Sequence, residues 1–192
     1  MLKLFNSLTN NKQEFVPITP GLVKMYSCGP TVYSYQHIGN MRAYIFMDSL
    51  RRTLKYNGYK ILGVMNVTDV GHLTSDEDNG DDKMELAAKK EQKSPYEIAK
   101  FYADKFFADL KFLNVDIPEH ITYATKYIPQ MIEFVKGLEA KGYTYSDGIY
   151  FDVQKFSGYG QLSAKDLSKT GNARIEENLE KHHPFDFALW KF

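Results

Sequence analysis

Residues Tyr26–Arg42 read YSCGPTVYSYQHIGNMR, and the fold turns on how this stretch is parsed. Leu22 to Tyr26 is an apolar run of the length of a buried strand. Beyond Arg42, the residues Ala43, Met47, Leu50 and Leu54 recur at helical spacing. Arg51, Arg52 and Lys55 follow in the last turns, and Asn57-Gly58 supplies a stop. The stretch is therefore a strand, a loop and a helix start, the junction at which open α/β sheets bind ligands. Gly29-Pro30 breaks the strand just after Cys28, and His37 and Asn40 bracket Gly39 at the helix entrance. A helix N-terminus with free N–H groups suits phosphate. Gly39 lets a flat or bulky group approach the backbone, and His37 can put a donor on a phosphate whose charge grows in a transition state.

Working outward, Lys60 to Thr68 (KILGVMNVT) reads as a second buried strand. Strand, helix and strand make a βαβ unit, so the two strands are expected to be parallel with a right-handed crossover. The second strand ends in Asn66-Val67-Thr68-Asp69-Val70-Gly71-His72, beside the end of the first. On local pattern, Thr68 and Asp69 cap the next turn, and His72 is a loop histidine with no assigned role.

The residues quoted so far carry a resemblance. His37-Ile38-Gly39-Asn40 resembles the His-Ile-Gly-His signature of class I aminoacyl-tRNA synthetases, with Asn in the fourth place. Cys28-Gly29-Pro30-Thr31-Val32-Tyr33 upstream narrows it to the cysteinyl-tRNA synthetases, as does the Asn-x-Thr-Asp motif at Asn66 to Asp69. The resemblance implies an α/β, Rossmann-like class I nucleotide-binding fold. Residues 1–115 would be its first half with a parallel sheet, and 116–192 an α+β connective insertion. It implies His37 and Asn40 as catalytic residues and Thr31, His37, Gly39 and Asn40 at the nucleotide. Cys28, Gly29 and Thr68 would lie at the cysteine, with Cys28 also a zinc ligand. Asn40 keeps a donor but cannot become cationic, so its share of phosphate stabilisation is expected to be smaller than a histidine's.

Composition agrees with an ordinary soluble domain. The chain has 192 residues, 43% hydrophobic and 15% aromatic, with 14 Tyr and 13 Phe. That is enough for a core. The 24 basic and 24 acidic residues cancel, which argues against a dedicated nucleic-acid surface. The single Cys excludes an internal disulfide framework and fits a reducing compartment. No signal peptide or membrane span is visible. A cytoplasmic protein is expected.

The rest of the chain is read as follows. Leu2 to Ser7 and Glu14 to Ile18 are candidate strands around a turn at Asn10-Asn11. Ser75 to Glu85 invites a calcium-loop reading, which fails because Leu86 stands where the motif needs Glu. An acidic loop leading to a helix at Lys83 to Glu91 is the expectation. Ser94-Pro95-Tyr96-Glu97 is a capping box, and Ile98, Tyr102, Phe106, Leu110 and Leu113 form a core stripe behind it. Glu119 to Thr125 is a linker or short extended piece. A helix over Ile128 to Ala140 turns Ile128, Met131, Ile132, Val135 and Leu138 inward and stops at Gly142. Ser146-Asp147-Gly148 signals a hairpin turn. Gly158-Tyr159-Gly160 is not a dinucleotide fingerprint, since Ser163 holds the third Gly place. Ser168 to Asn178 is polar. His183 to Lys191 (HPFDFALWK) resembles the end of the family's insertion.

The resemblance implies ATP-dependent activation of L-cysteine as cysteinyl-adenylate and its transfer to tRNA(Cys), with Mg²⁺ accompanying ATP. Zn²⁺ would read the substrate sulfur, because a thiolate is a far better zinc ligand than a hydroxyl. The Lys-Met-Ser-Lys-Ser loop, the later zinc ligands and the anticodon-binding region do not occur in these residues. An N-terminal portion, inactive by itself, is therefore expected. A lone Cys at a strand end is most often a buried thiol. Three alternatives stay open: a cysteine ligase of mycothiol synthesis, a small nucleotidylyltransferase, and a non-catalytic fragment.

Overall fold

The computed structural model describes residues 2–71, 93–146, 150–162 and 181–190. His72, the acidic stretch at 75–85, the helix expected at 83–91 and the polar stretch at 168–178 lie outside them. The chain opens on a hairpin in which β1 (Lys3–Asn6) pairs antiparallel with β2 (Asn11–Glu14). This corrects the expected turn at Asn10-Asn11. The turn occupies residues 7–10, with Asn10 in the left-handed region at φ 53, and Asn11 already belongs to the strand. Asn tolerates that region through its short polar side chain. Nor does a strand run from Glu14 to Ile18, where Pro17 has no N–H to give a ladder.

The expected βαβ unit is present. β3 (Leu22–Ser27) and β4 (Lys60–Val67) pair in parallel, from Leu22 opposite Lys60 to Ser27 opposite Met65. The extended piece after Glu119 is a third strand, β5 (His120–Tyr123), parallel to β4 in a sheet of order β3-β4-β5. Strand pairing thus crosses the sequence-based division at 115/116.

One face of this sheet carries the core. α1 (Ile38–Tyr56) and α2 (Pro95–Phe112) cover it. Val67 packs with Val32, Ile98, Ala99, Tyr102 and Ala103, and Met65 packs with Met41, Tyr44, Phe106, Leu110 and Val115. Each large apolar side chain fully buried here contributes about 1.5–3 kcal/mol. The capping box of α2 forms as expected: Ser94 Oγ accepts from Glu97 N–H, and the Glu97 carboxylate accepts from Ser94 N–H. Leu113, expected in the core stripe, is instead the C-cap and 39% exposed, because the chain turns away there through Asn114 at φ 55.

Among the described residues, the three long helices end alike. After Leu54, Leu110 and Leu138, a residue in the left-handed region (Gly58, Asn114, Gly142) reverses the chain. The next N–H then reaches back to that leucine's carbonyl, from Tyr59, Val115 and Tyr143. This 6→1 bond satisfies an otherwise orphaned acceptor.

α1 is also tied to the sheet by charge. Arg51, only 4% exposed, donates from Nη1 and Nη2 to the two Glu119 carboxylate oxygens at 3.2 and 3.0 Å. Gly63 N–H donates to the same carboxylate at 2.6 Å. A Cβ on Gly63 would lie 2.2 Å from Arg51 Nη1, so glycine makes room for the pair. Arg52 bonds Asp48, the Asn114 carbonyl and Asp116, and Lys55 bonds Asp116. Hydrogen bonding and charge from Lys55, then Arg52, hold Asp116 below the usual carboxylate range against its partial burial.

Beyond β5, a 3₁₀ turn (Ala124–Tyr127) leads into α3 (Ile128–Ala140), with the expected bounds. Its inward stripe is corrected. No residue of α3 is buried, and Met131 and Ile132 are 40% and 36% exposed. The helix has Leu189 and Trp190 beside it across an open groove, not a closed layer. A small antiparallel sheet of order β6-β7-β8 joins β6 (Thr144–Tyr145), β7 (Tyr150–Phe151) and β8 (Phe187–Ala188). The hairpin's turn, Asp147-Gly148, lies outside the described residues. Asp186, 2% exposed, pins this sheet by accepting from Tyr145 O–H, His183 N–H and Val153 N–H, each at 2.9 Å. No helix among the described residues is long and apolar enough to cross a membrane.

Candidate functional site

The site is built where the β3–β4 ladder loses register. Ser27 faces Met65, and the next pairing is Thr31 with Thr68, held by Val32 N–H to Thr68 O and Thr68 N–H to Pro30 O. Residues 28–30 therefore stand opposite only 66–67, an extra residue that bulges the strand. The Asn66 side chain bridges the gap. Its Oδ1 accepts from Gly29 N–H and from Tyr26 O–H, both at 2.9 Å, and its Nδ2 donates to Thr68 Oγ1 at 3.1 Å. Cys28 is carried out of the ladder and is exposed, not the buried thiol that a lone cysteine at a strand end suggests.

Gly29 is required by space. A Cβ there would lie 1.6 Å from the Asn66 carbonyl oxygen and 2.8 Å from Met65 Cγ. Neither neighbour is a free side-chain end, so Gly29→Ala must open the bulge. A destabilisation of about 2 kcal/mol is expected, within the range for overpacking, with loss of activity at the same position. Urea denaturation beside a substrate-binding assay checks this. A variant as stable and active as wild type would show that the bulge yields freely.

The second half of the site is the entrance to α1. His37 is the N-cap: its Nδ1 accepts from Gly39 N–H at 3.0 Å, while His37 N–H donates to Asn40 Oδ1 at 3.1 Å. This reciprocal box corrects the expectation of free N–H groups for phosphate. Gly39 N–H is taken by the imidazole, and the N–H groups of Asn40 and Met41 both turn to the His37 carbonyl. Gly39 also has a nearer reason to be glycine, since a Cβ would sit 2.8 Å from His37 Cε1. The flat group it admits is the imidazole itself. With Nδ1 accepting, the neutral ring carries its hydrogen on Nε2. Asn40, its oxygen used, is left with an amide donor. The entrance therefore presents side-chain donors, not a row of backbone ones.

Bulge and helix entrance face each other across a polar pocket of about 280 Å³. Gly29, Thr31, Tyr33, His37, Asn40 and Tyr44 are among its lining residues, and Gln36 Nε2 donates to Thr31 O at 3.3 Å. Tyr44 is buried. Burial, and secondarily its electrostatic interaction with Cys28, push it up to about 12, so it remains a neutral donor at physiological pH. Of the sequence-predicted residues, Gly29, Thr31, His37 and Asn40 thus meet in one pocket. Gly39 sits behind His37. Cys28 and Thr68 flank the pocket at the strand ends, Thr68 joined to Gly29 through Asn66. Asp69 does cap, but at a distance: its carboxylate accepts from Thr125 N–H and Oγ1–H at the 3₁₀ turn. Asn66 and Tyr44 carried no assignment in the sequence reading. Asn66 lay within a quoted motif, and nothing local marks Tyr44.

The described residues contain no group of three His, Cys, Asp or Glu able to hold a metal. One thiol does not make a zinc site, which needs three or four protein ligands.

Against known proteins, a family model described as the class I (C) tRNA synthetase catalytic domain matches residues 14–192. The chain is 50% identical over 189 residues to a cysteine–tRNA ligase of Zymomonas mobilis, covering 97% of this chain and 36% of that protein. It is 50% identical over 193 residues to one of Treponema denticola, covering 98% and 39%. A third, from Clostridioides difficile, is 46% identical over 193 residues, covering 99% and 39%. The chain thus spans well under half the length of these curated relatives.

Proposed function

Because the chain belongs to the class I (C) tRNA synthetase catalytic-domain family, we propose that its pocket takes part in ATP-dependent activation of L-cysteine for transfer to tRNA(Cys). The observation that carries this reading is that the Gly29 bulge, anchored to Asn66, and the His37–Asn40 box face each other across one polar pocket. Cysteine activation joins the amino-acid carboxylate to the α-phosphate of ATP and releases pyrophosphate. Such a transfer needs donors aimed at oxygens whose charge rises in the transition state. His37 Nε2–H and the Asn40 amide are those donors, each held by its other polar atom in the cap. Thr31 and Gly39 complete the nucleotide side. Gly29, Thr68 and Cys28 form the amino-acid side.

Mg²⁺ would arrive with ATP, since among the described residues no carboxylate lines the pocket. Zinc, when bound, would supply a Lewis acid that prefers sulfur to hydroxyl oxygen. Cys28 is the group this chain would bring to it, together with ligands outside the described residues. Residues 1–115 are proposed as the first half of the catalytic fold and 116–192 as connective insertion, except that β5 (His120–Tyr123) belongs to the catalytic sheet; a cytoplasmic location is proposed with them.

The test is cysteine-dependent ATP–pyrophosphate exchange by the full-length protein, beside its metal content by elemental analysis. Exchange with cysteine and not serine is expected, with about one zinc per chain. Cys28→Ser should lower both together. Exchange that needs no cysteine would overturn the reading, and full selectivity in a zinc-free Cys28→Ser protein would remove the role given to Cys28.

A further inference from the structure

We propose that Asn66 is a positioning residue that sets the direction of the Thr68 hydroxyl hydrogen and locks it to the Gly29 bulge. The proposal deepens the reading above and rests on its placement of Thr68 at the amino acid. The argument begins with the orientation of the Asn66 amide. Its Oδ1 receives two donors, Gly29 N–H and Tyr26 O–H, both at 2.9 Å. Turning the amide over would set an NH₂ against the Gly29 N–H, two donors face to face in a part-buried site. An amide's orientation is read from its partners in this way. Nδ2 must therefore face Thr68 Oγ1, where the separation is 3.1 Å.

The consequence falls on Thr68. Its hydroxyl has one hydrogen and two lone pairs. Accepting from Nδ2 uses a lone pair and bars the hydrogen from that direction. Both backbone groups of Thr68 are already spent on the ladder, N–H to Pro30 O and carbonyl to Val32 N–H. The hydroxyl hydrogen is left to point off the strand end as a donor. A donor is what an anionic group of the amino acid would require, carboxylate or thiolate. The same amide holds Gly29, next to Cys28, so one side chain presents both the bulge and the Thr68 donor. Asn66 need not touch substrate to do this.

Asn66→Asp separates the two tasks. A carboxylate still accepts from Gly29 N–H and Tyr26 O–H, so the bulge keeps its anchor. The atom facing Thr68 becomes an acceptor, and the hydroxyl must turn round to donate to it. The donor offered to substrate is then lost without loss of the threonine. The experiment is a double-mutant cycle in the full-length protein, read as KM for cysteine, KM for ATP and kcat in pyrophosphate exchange. Thr68→Val and Asn66→Asp should each raise the cysteine KM by roughly tenfold, the scale of one lost hydrogen bond to a charged group, and leave the ATP KM in place. The double variant should be no worse than the weaker single one, because residues acting through one atom do not add.

Multiplying effects would show that Asn66 acts independently of Thr68 and would overturn the proposal, as would wild-type behaviour of Asn66→Asp. If Thr68→Val alone changes nothing, the placement of Thr68 at the amino acid falls and the proposal falls with it. Should Asn66→Asp fail to fold, Tyr26→Phe replaces it, since Tyr26 is 61% exposed and loses only its donor to Oδ1. A twofold to fivefold rise in cysteine KM that disappears on a Thr68→Val background is then expected. No rise, or a rise that persists there, overturns the proposal.

Discussion

Replacing His37 by Ala in the full-length protein should lower kcat for cysteine activation by about 10²–10³-fold while changing the ATP KM little. That is the cost of removing one preorganised donor from a developing oxyanion, and an interaction made mainly in the transition state appears in kcat. The structure adds a complication. His37 is also the N-cap of α1, so the same change removes the acceptor for Gly39 N–H. Loss of a side-chain cap costs about 1 kcal/mol of stability. His37→Asn resolves the two effects, because Asn is itself a good N-cap but has no Nε2–H directed outward. Asn should restore the melting behaviour and leave kcat low. An unchanged kcat with a raised ATP KM would mean that His37 only holds the nucleotide. Recovery of kcat by Asn would mean that the cap, not the donor, is what the reaction uses.

That dual role shows where sequence reading stops. His37, Gly39 and Asn40 were legible as a helix entrance because cap, glycine and spacing are local. The use of their hydrogen bonds was not. A free helix N-terminus and one closed by its own His–Asn box have the same sequence signals, and only the placed imidazole shows that Gly39 N–H is occupied. The same boundary separates the elements. Ser94 with Glu97, and the reversals at Gly58, Asn114 and Gly142, follow from rules spanning a few residues. β5 is four residues long and finds β4 across 56 positions, from His120 opposite Val64, so its neighbours in sequence say little. The inward stripe of α3 failed for a related reason. Periodicity marks an apolar face but not what lies against it, and here Leu189 and Trp190 leave a groove.

Asn66 illustrates the remaining kind of loss. Within a buried-strand pattern it reads as one polar residue in KILGVMNVT. Its importance comes from the one-residue mismatch between 28–30 and 66–67, which no single strand reveals. Gly29 is similar. As part of Gly-Pro it reads as a strand breaker, while the structure shows a backbone approach that excludes any Cβ. Arg51 was read with Arg52 and Lys55 as a charge favourable to the helix end. Arg52 and Lys55 do remain part-exposed and paired to Asp116, but Arg51 faces inward.

Glu119→Ala should therefore destabilise the protein by about 3 kcal/mol. Removing one partner of a buried pair leaves the other charge uncompensated, at a cost of roughly 3–5 kcal/mol. The lower end applies because Glu119 is itself 37% exposed, although Arg51 is not. Arg51 cannot easily find another partner: its Nε already lacks one among the described residues, and Gly63 N–H would lose its acceptor in the same step. The pH dependence carries a sign. Burial alone would raise the Glu119 carboxyl, but the hydrogen bonds from Arg51 and Gly63 and the charge of Arg51 outweigh it and hold the group below the ordinary value of 4.5. A depressed carboxylate contributes stability that is complete above its unfolded value and is lost as pH falls through the folded one. The stability gap between wild type and Glu119→Gln should accordingly be widest near neutrality and shrink below about pH 4. Urea denaturation midpoints across that range measure it. A double change, Arg51→Met with Glu119→Leu, removes both charges and should cost less than Glu119→Ala alone, since no ion is then stranded. If Glu119→Ala melts within about 0.5 kcal/mol of wild type, the scale of an ordinary surface substitution, the pair is solvated in practice and Arg51 does not anchor α1 to the sheet.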